Sequence, residues 1–208
     1  MRPLTDIVPK PLIRVSGRYL IEYHLYNLAS AGFTDVVINV AWLGQKIIQA
    51  LGNGEKYSLN IVYSDEGAAA LETGGGIYRA LPLLSEQFLV INGDVWTDYP
   101  LDKIQSIQGE DLAHLVLVNN PVHNPEGDFA LSNGRLVKSE KENYTFSGIG
   151  IYTKAFFESE KKGKYPLAPM IRHYIEMNKI SGERYRGQWM DIGTQQRLSC
   201  LVDLLSEA

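Results

Sequence analysis

Residues 19–40 are YLIEYHLYNLASAGFTDVVINV. Leu20, Ile21, His24, Leu25, Leu28 and Ala29 recur at helical spacing over 19–31, Gly32 ends the run, and Val36-Val37-Ile38-Asn39-Val40 is a β-branched strand. A helix feeding a buried strand is one step of an α/β alternation, and the step repeats. Leu43, Ile47, Ile48 and Leu51 mark a helix stopped by Gly52-Asn53-Gly54, and Asn60-Ile61-Val62-Tyr63 marks a strand. Residues 74–84 then read as a helix and Phe88-Leu89-Val90-Ile91 as a strand. Continuously apolar short strands between helices predict a Rossmann-like three-layer α/β fold with a mainly parallel mixed sheet covered on both faces.

After residue 112 the rhythm changes. Leu115-Val116-Leu117-Val118 is a strand, and 129–137 reads as a hairpin about Asn133-Gly134, which predicts a small antiparallel lobe. A strand at 144–152, a helix at 167–179, a strand at 183–189 and a closing helix at 194–205 complete the pattern. With 208 residues and no internal repeat, low-complexity tract or clear linker, the chain is expected to form a single domain over 1–208.

Composition narrows the function. Net charge is only -4 and no Lys/Arg run exceeds Lys161-Lys162, so nucleic acid is not an expected partner. The single cysteine, Cys200, excludes an internal disulfide, and the four histidines lack the spacing of a Cys/His zinc site. No stretch approaches the ~18 apolar residues of a membrane span, so no membrane partner and a cytoplasmic location are expected.

In open α/β sheets ligands gather at the carboxyl ends of strands, so polar residues that follow apolar runs are the ones to weigh. Asn92-Gly93-Asp94 follows Phe88-Leu89-Val90-Ile91 in this way. It reads either as a sharp turn presenting Asp94 as a hard oxygen ligand for magnesium, or as a strand-terminal turn with a local backbone bond. Asp191, in Trp189-Met190-Asp191-Ile192-Gly193-Thr194, offers a second carboxylate before the last helix, or else a plain helix N-terminal box. Glu72-Thr73-Gly74-Gly75-Gly76 lets backbone approach a flat base or an anion, or is a simple glycine loop. Lys10 stands between Pro9 and Pro11 on a stiff mount that would suit a phosphate, though an exposed loop lysine has the same look. Asp128 and Glu140 flank the hairpin and could bond sugar hydroxyls or simply be a solvated rim.

Taken in order, Pro3-Leu4-Thr5, Pro9-Lys10-Pro11-Leu12, Glu72-Thr73-Gly74-Gly75-Gly76, Asn92-Gly93-Asp94 and Trp189-Met190-Asp191-Ile192-Gly193-Thr194 resemble the nucleotide-sugar pyrophosphorylases over nearly the whole chain. Through residues 92–99, Ile21-Glu22-Tyr23-His24-Leu25 and Ala41-Trp42-Leu43-Gly44 the likeness extends to the bacterial N-acetylmuramate-1-phosphate uridylyltransferases of cell-wall recycling. Mannose-1-phosphate guanylyltransferases look similar. The resemblance implies a transferase joining a nucleoside triphosphate to a sugar 1-phosphate, with Mg2+ on Asp94 and Asp191 and Lys10 on the phosphates. It further implies Glu72, Thr73, Gly74, Gly75 and Asn92 around the nucleotide, and Asp128 and Glu140 near the sugar.

The family also opens with a strand and a Leu-Ala-Ala-Gly-x-Gly-x-Arg loop that grips the triphosphate, and this chain starts beyond that arginine position; Arg2 is not its equivalent. The expectation is therefore a truncated chain, a start assigned too far downstream, or a non-catalytic nucleotide-sugar-binding protein. On the first two readings the 208-residue form should turn over slowly.

Overall fold

The computed structural model describes residues 1, 3–67, 70–139 and 142–206. In chain order its elements are α1 (Leu4–Ile7), β1 (Arg14–Val15), β2 (Arg18–Tyr19), α2 (Leu20–Ser30), β3 (Asp35–Val40), α3 (Gly44–Leu51) and β4 (Asn60–Asp65). There follow α4 (Glu72–Ala80), β5 (Gln87–Ile91), β6 (Val95–Thr97), β7 (Ala113–Val118), β8 (Ala130–Ser132), β9 (Arg135–Val137) and β10 (Thr145–Thr153). The chain closes with α5 (Ala168–Glu176), β11 (Ile180–Arg184), β12 (Trp189–Asp191) and α6 (Gln195–Ser206). Contacts gather these into two compact units, one of Met1–Ala70, Gly93–Ile104 and Gln188–Ala208, the other of Leu71–Asn92 and Gln105–Gly187.

The first unit carries the stretch that decides the fold. α2 starts in a capping box, because the Glu22 carboxylate accepts from the Tyr19 amide at 2.7 Å. Leu20, Ile21 and Leu25 are buried beneath it. The helix stops at Gly32, whose φ of 87° is cheap only without a side chain. β3 pairs in parallel with β4, Ile38 opposite Tyr63, and Ile38, Val40, Ile47, Leu51 and Ile61 pack with Ile21 and Leu25 into one cluster. A second cluster of Val15, Leu20, Trp96, Ile192 and Leu201 joins α2 and α6 to the antiparallel ribbon of β6 and β12.

Glu22 is 5% exposed, and its other oxygen accepts from Lys56 at 2.6 Å and from the Tyr57 hydroxyl at 2.8 Å. Burial pushes this carboxyl up, but the bonds from Lys56, the Tyr19 amide and Tyr57 outweigh it and hold the group below its ordinary value.

The second unit is a six-stranded sheet in the order β5-β10-β7-β11-β9-β8. Phe88, Leu115, Leu117, Tyr152, Phe156 and Ile171 form the middle of its core, under α4 and α5. The α/β class and the mixed sheet are as expected. Parallel pairing, however, joins only β3 to β4 and β7 to β11 among the described residues. β10 enters antiparallel between β5 and β7, with a bulge between Phe146 and Ile149, so apolar strands that read as parallel neighbours are separated. The hairpin at 129–137 forms as expected, with Asn133 and Gly134 both at positive φ in a type I′ turn between β8 and β9.

Candidate functional site

The first unit brings three of the expected residues together. Lys10 begins a short 3-10 turn, Lys10–Leu12, with Pro9 extended before it and Pro11 within it. Its Nζ donates to Asp94 Oδ2 at 3.0 Å, both side chains more than a third exposed. Asp94 immediately precedes β6, and Asp191 is the last residue of β12, paired directly with Val95. The Ile192 amide donates to the Asp94 carbonyl at 2.7 Å. The two carboxylates therefore stand at the same end of one antiparallel ribbon, which the separation of 97 positions in sequence does not reveal.

The ribbon end is braced from behind by His24, which is buried on α2 and lies 2.7 Å through Nε2 from the Val95 carbonyl. A carbonyl only accepts, so Nε2 carries the proton. Burial holds His24 below its ordinary value, against smaller raising effects of the Val95 bond and the Asp94 charge, so the ring is neutral near pH 7.

Asp191 is held by a residue that the sequence reading did not single out. Arg197 Nη1 donates to both Asp191 oxygens, at 2.6 and 2.8 Å. The Thr194 hydroxyl accepts from the Arg197 amide at 3.2 Å, so Thr194 caps α6 while Asp191 faces a cation. The helix N-terminal box is thus made by Thr194 and not by Asp191. Gly193 makes room: a Cβ there would stand 2.2 Å from Arg197 Nη2. The signal lay in the sequence as an arginine at the third helical position, where it can reach back across the turn.

Gly93 departs from expectation. It has no positive φ, and an added Cβ would meet Pro11 Cγ at 3.6 Å, ordinary contact, so the turn at Asn92-Gly93-Asp94 does not depend on glycine.

The other expected residues lie in the second unit. The Asn92 amide donates to the Gly148 carbonyl at 3.0 Å, and its side chain fills the space a Cβ on Gly148 would need. Glu72 starts α4 at a φ of 61° and lies 3.8 Å from Lys164. Gly74 and Gly75 face residues 163–165: a Cβ on Gly75 would come within 2.2 Å of the Gly163 carbonyl oxygen, and one on Gly74 within 2.7 Å of the Tyr165 ring. The Gly75 amide donates to the Tyr165 carbonyl at 3.1 Å. The lost side chains here serve close approach by the protein's own backbone. Asp128 Oδ2 accepts from the Phe146 amide at 2.8 Å and from Asn124 at 3.3 Å. Glu140 lies outside the described residues.

Two carboxylates at one ribbon end are hard oxygen donors of the kind magnesium takes from protein, its remaining positions being filled by phosphate oxygens and water. Among the described residues no group of three or more His, Cys, Asp and Glu side chains could hold a metal ion by itself. No helix among them is long and apolar enough to cross a membrane.

Residues 1–129 match the nucleotidyl transferase family, and the chain belongs to it. Its relatives include an N-acetylmuramate alpha-1-phosphate uridylyltransferase of Neisseria meningitidis serogroup B, 49% identical over 207 residues that span 95% of this chain and 90% of that protein. A protein of the same name from Caulobacter vibrioides is 30% identical over 224 residues, spanning 100% of this chain and 93% of the relative. In fold, the chain is similar to the solved inositol-1-phosphate CTP transferase from T. maritima, with a TM-score of 0.79 at 21% identity, covering 100% of this chain and 90% of that one.

Proposed function

We propose that this protein transfers a nucleotidyl group to a sugar 1-phosphate, with UTP and N-acetylmuramate 1-phosphate as its substrates and the cytoplasm as its place of work. The observation that carries the reading is the juxtaposition of Asp94 and Asp191 at one end of the β6–β12 ribbon, each facing a cation. The identity of the two uridylyltransferase relatives supports the choice of substrates.

In the reaction a phosphate oxygen of the sugar 1-phosphate attacks the α-phosphorus of the triphosphate in line. A new P–O bond forms, the α–β bridging bond breaks, and pyrophosphate leaves with the electron pair. The attacking oxygen is already anionic at neutral pH, so no protein nucleophile or general base is needed, and positioning and charge neutralisation are the protein's part. Lys10 supplies a fixed positive charge for the phosphates. Asp94 and Asp191 would hold Mg2+, which when bound screens the charge of the phosphate oxygens. His24 and the Ile192 amide keep the Asp94 backbone in place. Glu72, Thr73, Gly74, Gly75 and Asn92 are proposed on the nucleotide side and Asp128 and Glu140 on the sugar side. For Gly75 the amide is already engaged, so its part is to shape the segment that carries Glu72 and Thr73.

The test is pyrophosphate release with Mg2+, comparing UTP plus N-acetylmuramate 1-phosphate with GTP plus mannose 1-phosphate. Preference for the first pair is expected. Preference for the second would reassign the substrates, and nucleotide-sugar binding without pyrophosphate release from either pair would favour a non-catalytic binding protein.

A further inference from the structure

We infer that Arg197 is a positioning residue that holds the Asp191 carboxylate against divalent-cation binding until nucleotide arrives. The inference rests on the metal role proposed above for Asp191 and concerns how that site is kept before it is used.

The two carboxylates are not held alike. Lys10 engages a single oxygen of Asp94 at 3.0 Å, in a pair whose side chains are 38% and 39% exposed. Arg197 engages both oxygens of Asp191, in a pair whose side chains are 24% and 29% exposed. The less exposed pair is the less screened by solvent, and contact with both oxygens sets a positive charge across the edge by which the carboxylate would chelate a cation. The guanidinium is also mounted firmly. Its residue sits in the first turn of α6, whose start is fixed by the Thr194 cap, and the absent side chain of Gly193 leaves the guanidinium its berth.

Arg197 and Asp191 each satisfy the other in this pair. It opens by exchange: a cation must take the carboxylate while an anion takes the guanidinium. A metal-bound triphosphate brings both charges together, whereas a free divalent cation brings only one. The arrangement therefore favours entry of metal with nucleotide over entry of metal alone, with Asp94 as the first carboxylate to be reached.

The test is titration of the nucleotide-free protein with Mn2+, followed by electron paramagnetic resonance, in wild type, Arg197→Gln, Arg197→Lys and Asp191→Asn. Arg197→Gln should bind Mn2+ at least about 5-fold more tightly than wild type, because a positive charge beside the site is gone. Arg197→Lys, which keeps the charge but cannot span both oxygens, should fall between them, and its melting temperature shows that the change lies at the site and not in the fold. Asp191→Asn alone should change nucleotide-free Mn2+ binding little, and combined with Arg197→Gln it should abolish the gain. With UTP present, Asp191→Asn should bind Mn2+ more weakly than wild type. Unchanged or weaker nucleotide-free Mn2+ binding in both Arg197 variants overturns the inference while leaving the metal role intact, provided Asp191→Asn is impaired with UTP present. Normal Mn2+ binding by Asp191→Asn with UTP present overturns the metal role, and this inference with it.

Discussion

Replacing Gly75 with alanine adds one methyl group to a helix, and in an open helix that change stabilises by about 1 kcal/mol. Here the sign should reverse. The new Cβ would stand 2.2 Å from the Gly163 carbonyl oxygen and 3.2 Å from Leu71 Cβ. The first contact is short by about 1 Å or more, and the partner is backbone, which cannot rotate aside. Residues 163–165 would have to retreat, stretching the Gly75 amide bond to the Tyr165 carbonyl and the Tyr165 amide bond to the Leu71 carbonyl, both 3.1 Å. Two weakened bonds at about 1 kcal/mol each, with the strain of overpacking and less the helix gain, give a net loss of roughly 2 kcal/mol. For a chain of this size that is a fall in melting temperature of about 4 to 8 °C, measurable by circular dichroism. Gly93→Ala is the control, since its Cβ meets only Pro11 Cγ at 3.6 Å and stability should stay within about 0.5 kcal/mol. An unchanged or raised melting temperature for Gly75→Ala would refute the reasoning and return the glycine run to an open, ligand-facing role.

Two further predictions concern the first unit's ribbon and its phosphate side. Folded His24 binds a proton less readily than it does unfolded, so its contribution to stability is present above the ordinary value of 6.5 and is lost as pH falls below it. His24→Gln keeps a donor for the Val95 carbonyl and removes the titration, so the drop in melting temperature from pH 7.5 to 5.5 should be smaller than in wild type; an equal drop would contradict the buried, neutral assignment. Part of the drop should persist in that variant, because burial also holds His114 low. Lys10→Met should cut nucleotidyl transfer by about 10-fold or more while leaving the melting temperature near wild type, because the partly exposed Lys10–Asp94 pair adds little to stability. A large loss of stability with normal turnover would make Lys10 a structural residue.

Much of the fold was legible because each element carries its own period. α2, α3, β3, β4, β7 and the type I′ hairpin fall where apolar spacing and turn residues put them. The clearest displacement is near residue 183, where one strand was expected over 183–189. The structure has β11 at Ile180–Arg184 and a separate β12 at Trp189–Asp191. Gly182 masks the first of these, since glycine weakens a strand signal, yet a Cβ there would come within 2.3 Å of Leu136 Cδ1. Among the described residues β3 and β5 each pair on one edge only.

The site was legible as residue types at strand ends and not as pairings. Asp94 and Asp191 stood out because a carboxylate follows an apolar run in both places. His24 and Glu22 did not, because a buried carbonyl contact or ion pair is set by tertiary approach and leaves no local period; Arg197 carried a local signal, its place in the first turn of the helix that follows Asp191. The glycines of Glu72-Thr73-Gly74-Gly75-Gly76 read as room for a base or an anion; in the structure the group that approaches Gly74 and Gly75 is residues 163–165, about 90 positions away in sequence.

The Asp94 and Asp191 end of the ribbon is the proposed seat of nucleotidyl transfer. The direct test is the rate of pyrophosphate release from UTP and N-acetylmuramate 1-phosphate at saturating Mg2+, in the wild-type protein and in its Asp94→Asn variant. A fall of at least about 100-fold with the melting temperature retained is expected, since the variant would lose the charge of a proposed metal ligand. Near-normal release by Asp94→Asn would contradict it.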